Sequence, residues 1–297
     1  MNVLSLCDGM SCGHIALDCL GIKIDNYYAS EIDKNSIAVT MANYPDTVQL
    51  GDVTKLTEDV LKTLPKIDLV MFGSPCRSLS SATRGHEGYN DGLQGISGLF
   101  YDCVKILDWV KVNNNQTVKF FVENVPSSKK DDLGVMSKAL GVEPIEVNSS
   151  SFSAQERRRL YWTNIKVDPV EAQDSTVLGD ILEANVDEKY FYKESFVHGD
   201  PNKRVVATLG INGHDIIKRV YNRCMKSPTL TSCRGGNRQL KVIDGDRVRR
   251  LTPLEYRRLQ TIPDSYKMPV ANSHIYNMTG DGWNIQTVKH LLKHVLD

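Results

Sequence analysis

The stretch Ile67-Asp68-Leu69-Val70-Met71-Phe72-Gly73-Ser74-Pro75-Cys76 decides the fold. Its first half is an apolar run interrupted by one acid and too short for a helix. Such a run reads as a strand buried on both faces, as in parallel sheets. Gly73 and Pro75 end it, and Pro75 biases Ser74 towards an extended backbone. Cys76 is thereby delivered at the carboxyl end of a sheet strand, where open α/β sheets keep their ligand crevice. The polar, Gly-rich segment from Arg77 to Ser97 has no apolar period. A thiol on a strand tip under a long loop suits a covalent enzyme. The competing reading is a structural cysteine, since free Cys often behaves as a small hydrophobe.

Working back to the start, Asn2–Leu6 reads as a strand, Cys7–Gly13 as a turn, and His14–Leu20 as a helix stopped by Gly21. Strand, Gly-containing turn and helix open a nucleotide-type fold. The pattern is not Gly-x-Gly-x-x-Gly and lacks a phosphate-cradling Lys, which argues against dinucleotides and nucleoside triphosphates. Tyr27–Glu31 reads as a second strand tipped by Glu31, about where such folds place a ribose-binding carboxylate. Gln49–Val53 reads as a third strand tipped by Asp52, a candidate for an adenine amine. Either acid alone could be a helix N-cap. Two acids at successive strand tips beside a Gly turn favour adenosine recognition, and S-adenosylmethionine fits that pattern.

Leu99–Val112 carries apolar residues at helical spacing. Val118–Val125 reads as a strand ending in Glu123 and Asn124, and Lys129–Leu140 as a helix. Ser153–Asn164 reads as a strand that puts Gln155, Arg157 and Arg159 on one face. From Val167 to Val242 the strand–helix alternation fades into turns, hydroxyls and basic residues. Thr252, Pro253 and Glu255 mark a helix start as N-cap, N1 and N3. Asn277–Trp283 reads as a turn and Ile285–Val295 as a last helix.

Bulk properties narrow the class. The 297 residues suffice for one or two domains. No apolar run is long enough to span a bilayer, and Met1 leads straight into a strand, so no signal peptide is expected. Seven cysteines without a Cys-x-x-Cys pair suggest a reducing compartment and no zinc site. Net charge is zero, yet Val197–Gln260 holds 14 Lys/Arg against 5 Asp/Glu. A basic block on a neutral chain suggests a polyanion at one face.

Together the motifs resemble the DNA (cytosine-5) methyltransferases of prokaryotic or phage type, in family order along the whole chain. Leu6–Gly13 resembles the cofactor turn, closer to the Asp-Gly form of the animal de novo enzymes than to the bacterial Phe-Ala-Gly form. Gly73-Ser74-Pro75-Cys76 resembles the nucleophile motif, Glu123-Asn124-Val125 the Glu-Asn-Val motif, and Gln155-x-Arg157-x-Arg159 the Gln-x-Arg-x-Arg motif. Pro228-Thr229-Leu230 resembles the Thr-Leu pair of the target-recognition region, and Gly280-Asp281-Gly282-Trp283 the closing Gly-Asn-Gly motif. Four positions depart from the usual pattern: Cys7, Cys12, Arg77 and Asp281.

The resemblance implies an α/β class I S-adenosylmethionine-dependent (Rossmann-like) fold, a mixed sheet with helices on both faces, plus a small loop-rich target-recognition domain. The catalytic domain is expected at 1–166 and 247–297, with the recognition domain at 167–246 and DNA in the cleft. Cys76 would add to cytosine C6. Glu123 would hold N3 and the 4-amino group, Arg157 would bond O2, and Arg159 would organise Glu123 or its loop. The target base must leave the duplex. The cofactor site would draw on Cys7, Asp8, Gly9, Met10, Cys12, Glu31, Ile32, Asp52, Val53, Gly73, Leu99, Asp281, Gly282 and Trp283. DNA contacts would come from Arg77, Ser78, Ser80, Thr229, Arg234 and Arg238. A metal-free monomer acting on double-stranded DNA in a bacterial cytoplasm is expected, with no membrane partner. The alternatives are a tRNA cytosine-5 methyltransferase, whose Cys-Phe-Thr-x-x-Tyr segment is missing here, and a catalytically silent DNA-binding homologue. A small-molecule methyltransferase would have no use for the basic insertion.

Overall fold

The computed structural model describes residues 1–75, 98–126, 130–171, 174–234 and 236–297. The chain divides into two compact units. Met1–Val147, Arg158–Pro169 and Val288–Asp297 form the first, and Asn148–Arg157 with Val170–Thr287 the second.

The first unit is built on a seven-stranded sheet. In chain order it contributes β1 (Asn2–Leu6), α1 (Cys12–Cys19), β2 (Asn26–Ser30), α2 (Lys34–Asn43), β3 (Val48–Gln49), α3 (Glu58–Lys62), β4 (Leu69–Phe72), α4 (Leu99–Asn113), β5 (Lys119–Asn124), α5 (Lys130–Leu140), β6 (Ile145–Asn148) and β7 (Arg158–Thr163). The strand order is β3-β2-β1-β4-β5-β7-β6. β1, β2, β3, β4 and β5 run parallel, and β7 returns antiparallel to β5. All four residues of β4 are buried, as its unbroken apolar run requires. Leu4, Leu6, Val70, Phe72, Phe120 and Val122 join Phe100, Cys103, Leu107 and Val110 of α4 in one core. The intervening Val3, Leu69, Met71 and Phe121 are buried as well. They belong to the opposite face, because successive strand side chains alternate.

The second unit holds β8 (Phe196–His198), β9 (Val205–Leu209), α6 (Asp215–Lys218), β10 (Arg219–Tyr221), β11 (Lys241–Asp244), β12 (Arg247–Arg250), α7 (Pro253–Leu259) and α8 (Asn272–Asp281), and α9 (Ile285–Leu291) follows. Its five strands form one sheet, ordered β12-β11-β10-β9-β8. The fading pattern from Val167 concealed these strands because each has only three to five residues. So few residues give little room for a period-two signal. The expected return to the first domain at Arg247 does not coincide with the observed division. β12 pairs in register with β11 from Lys241↔Arg250 to Asp244↔Arg247, so both strands fall in the second unit.

At α7 the Thr252 side chain caps Glu255 N–H, and Glu255 reaches back to Thr252 N–H, the capping box read from the sequence. The Asn277–Trp283 segment departs from expectation. Its first half continues α8 to Asp281 rather than turning. Gly280 serves close approach instead, since a Cβ there would lie 2.4 Å from Ser232 N and 2.5 Å from Thr231 C. The final helix, α9, is also shorter than the expected Ile285–Val295.

Candidate active site

Strand register aligns the chemistry of the first unit. Ser30, Leu6, Phe72 and Val122 are paired neighbours across β2, β1, β4 and β5. The next residue on each strand is therefore Glu31, Cys7, Gly73 and Glu123, a row along the carboxyl edge of the sheet. This is the edge at which open α/β sheets bind ligands. Cys76 belongs three residues beyond Gly73 and lies outside the described residues, as do Arg77, Ser78 and Ser80. What leads to it is defined: Ser74 is buried, and Asn124 Nδ2 donates to its hydroxyl at 3.3 Å.

Beside this row stands an acid–base pair. Glu123, the penultimate residue of β5, is nearly buried, and Arg159 Nε lies 2.9 Å from its Oε1. The Nε–H bond is not directed at that oxygen, so the contact is an ion pair rather than a linear hydrogen bond. Register explains the meeting. Glu123 pairs with Tyr161 across antiparallel β5 and β7, and Arg159 is two residues from Tyr161, hence on the same face.

Arg157 does something else. β7 starts only at Arg158, so the row Gln155–Arg157–Arg159 does not exist as one strand face. Arg157 is 2 % exposed, and its guanidinium donates to three carbonyls: Leu230 at 3.2 Å, Gly280 at 3.2 Å and Gly282 at 2.9 Å. Gln155 Oε1 accepts from Leu230 N–H at 3.0 Å, while its Nε2 donates to Leu259 O at 3.1 Å. Leu230 is thus gripped at both its N–H and its C=O. The expectation that Arg157 bonds cytosine O2 is corrected accordingly: a buried guanidinium committed to backbone carbonyls is a structural clamp.

The turn after β1 carries backbone strain. Cys7, Gly9 and Ser11 have φ of 53°, 59° and 60°. Two of them are not glycine, a cost of order 1–3 kcal/mol each that tends to gather at ligand sites. Glu31 holds this turn open. Its Oε2 accepts from Gly9 N–H, and its Oε1 from Ile32 and Asp33 N–H, each at 2.8 Å. A Cβ on Gly9 would meet nothing within 4 Å, so there is open space beside the turn. Ile32 is 71 % exposed next to it. Asp8 faces inward: Tyr27 hydroxyl donates to its Oδ1 at 2.7 Å, and Ser11 hydroxyl to its Oδ2. Burial outweighs these bonds and pushes the Asp8 carboxyl up to about 6. His14 is stacked between Tyr27 and Tyr44, and burial pulls its imidazole down to about 4.

The remaining cofactor candidates are scattered in character. Met10, Cys12 and Val53 are buried, and Leu99 begins α4. Asp52 is not a strand tip. It N-caps a short 3-10 turn, Val53–Lys55, and accepts from Thr54 N–H at 3.0 Å. The Thr54 hydroxyl, donating to the same oxygen at 2.8 Å, and that N–H together hold its carboxyl below the usual range. In the second unit Asp281, at the end of α8, is engaged by the Ser232 hydroxyl, and Gly282 O is taken by Arg157. Trp283 follows that turn and is half-buried. The residues of the first unit fit an adenosine with an amino-acid end: a carboxylate at the sheet edge (Glu31), a second at a 3-10 cap (Asp52), an exposed aliphatic side chain and an open strained turn. Thr229, a DNA candidate, spends its hydroxyl on Glu156 O at 2.7 Å. Arg234 and Arg238 are exposed. No helix among the described residues is long and apolar enough to cross a membrane, and no group of three His, Cys, Asp or Glu among them is placed to hold a metal ion.

The chain is 28% identical to the Type II methyltransferase M.NlaX of Neisseria lactamica, over 88% of this chain and 85% of that protein. It is 26% identical to the Type II methyltransferase M1.ScrFI of Lactococcus lactis subsp. cremoris, over 93% of this chain and 73% of the other. Its fold superposes on the S. pombe Dnmt2 methyltransferase with a TM-score of 0.69 at 17% identity, covering 100% of this chain and 98% of that one. A family model matches from residue 1 to residue 297, and by that match the chain belongs to the C-5 cytosine-specific DNA methylases.

Proposed function

We propose that the protein transfers a methyl group from S-adenosylmethionine to C5 of a flipped-out cytosine in duplex DNA, through a transient bond between Cys76 and C6. The observation that carries this reading is the Glu123–Arg159 pair, 2.9 Å apart at the carboxyl end of β5. It lies one strand from the segment that delivers Cys76. Bound S-adenosylmethionine would supply an electrophilic methyl group. The chain supplies the rest. The Cys76 thiolate adds to C6 and opens the C5–C6 double bond. Glu123, at N3 and the 4-amino group, steadies the electron density that addition sends into the ring and selects cytosine. Arg159 takes the O2 role first assigned to Arg157, because it is the guanidinium beside Glu123. After C5 has accepted the methyl group, a base removes the C5 proton, the C6–S bond breaks, and the thiolate is restored.

Glu31 and Asp52 would hold the ribose and adenine, with Ile32 packed on the adenine face. The strained turn Cys7–Ser11 would take the amino-acid end. Residues 167–246 would read the DNA sequence. The test is methyl transfer from isotopically labelled S-adenosylmethionine to duplex DNA and, separately, to tRNA, followed by nucleoside analysis. Label in 5-methyldeoxycytidine supports the reading. Label confined to tRNA, or none in either, overturns it.

A further inference from the structure

The second unit carries an exposed apolar residue on a cationic surface, in a loop whose shape is fixed. The segment between β9 and β10 leaves the sheet at Gly210, where N–H donates to Ser195 O at 2.8 Å and a Cβ would crowd that oxygen at 2.8 Å. Ile211 is buried, and Ile217 packs beside it with Leu209 and Val220. Gly213 has φ of +128°, a backbone that side chains rarely adopt. Asp215 and Arg219 close the far side with an ion pair, Nε to Oδ2 at 2.8 Å. Between these anchors Ile216 on α6 is 63 % exposed. An isolated surface Ile is ordinary. This one differs in being fixed by its neighbours and in its surroundings. Cα atoms of α6 come within 8 Å of the 3-10 turn Gly236–Arg238. Lys218 lies on α6 itself, and Arg238 on that turn is exposed. Among the described residues neither has an acidic partner.

The geometry points to Ile216 as a sequence-reading residue that packs on the C5-methyl group of a thymine in the DNA major groove, with Arg238 and Lys218 docking the flanking phosphates. The thymine methyl is the one apolar feature of the major-groove code, and aliphatic side chains recognise it by contact. Phosphate contacts from unpaired cations orient such a surface without reading sequence. The inference rests on the proposed DNA reaction and assigns one determinant of its specificity.

The methylated sequence is first located by bisulfite sequencing of DNA treated with the protein. Duplexes are then made in which each thymine of that sequence, in turn, is replaced by deoxyuridine, which lacks only the methyl group. One replacement should lower kcat/KM about tenfold for the parent protein, the scale of a lost methyl contact. The same replacement should cost Ile216→Ala less than about twofold, while Ile216→Val keeps most of the parent's sensitivity. Equal losses in parent and Ile216→Ala at every position would overturn the inference alone, as would a methylated sequence without thymine. A parent protein that methylates no duplex would overturn it together with the reading beneath it.

Discussion

Arg159 Nε lies 2.9 Å from Glu123 Oε1, on the same face of two antiparallel strands. Both side chains are close to nine-tenths buried, at 13% and 11% exposure. A charge pair this sheltered orients each partner more firmly than a surface bridge does. Arg159→Ala should therefore lower kcat by roughly 10²–10³-fold, as loss of a donor at developing negative charge does. The melting temperature should fall far less than for a change at Arg157. Steady-state kinetics alongside a thermal melt checks this, and unchanged kcat would remove Arg159 from the chemistry.

Arg157 predicts the opposite balance. Three carbonyls lose a charged donor when its guanidinium is removed. Arg157→Met should cost roughly 2–4 kcal/mol of stability. Urea unfolding measures it directly. A loss of activity with unaltered stability would show that Arg157 touches substrate after all.

These two arginines show how much of the site was legible. The strands leading to Glu31, Gly73 and Glu123 followed from short apolar runs closed by Gly or acids, local signals that tertiary structure preserved. The split between Arg157 and Arg159 was not local. Alternation from Ser153 runs five residues upstream of the observed strand start at Arg158, across a point where the chain leaves the strand to clamp Leu230 and Gly282. Those partners are 73 and 125 residues away, and no sequence period encodes them. Gly280 misled for a similar reason. Its missing side chain answers to the backbone of Thr231 and Ser232, not to a turn. Asp52 departs only from the strand-tip placement, since it caps the 3-10 turn Val53–Lys55.

Asp8 and His14 should leave opposite marks on stability. The folded Asp8 carboxyl titrates at about 6 against an ordinary 3.8. Between those values the fold holds a proton that the unfolded chain has released, so stability falls as pH rises. The folded His14 titrates at about 4 against an ordinary 6.5. There the unfolded chain holds the extra proton, and stability rises with pH over nearly the same interval. The parent curve should be shallow from pH 4 to 6. Asp8→Asn should uncover a rise, and His14→Phe a fall. Unfolding free energies across this range test the pair, and curves parallel to the parent would contradict both assignments.

Glu31 has two tasks, holding the Gly9 turn and facing the cofactor's ribose. Glu31→Ala should weaken S-adenosylmethionine by roughly 10–100-fold, the order of one lost hydrogen bond to a charged group. DNA affinity should change little. Isothermal titration with each ligand separates the effects, and equal losses for both would mean that the substitution acts by unfolding the turn.

The most direct test of the account is a duplex carrying 5-fluorocytosine at the methylated position, incubated with the protein and S-adenosylmethionine. Fluorine at C5 cannot leave as a proton does, so elimination is blocked and the adduct should persist. The account predicts a denaturation-resistant protein–DNA complex whose peptide mass spectrum places the linkage on Cys76. A protein that methylates ordinary cytosine yet forms no such complex, or forms it through another residue, would contradict it.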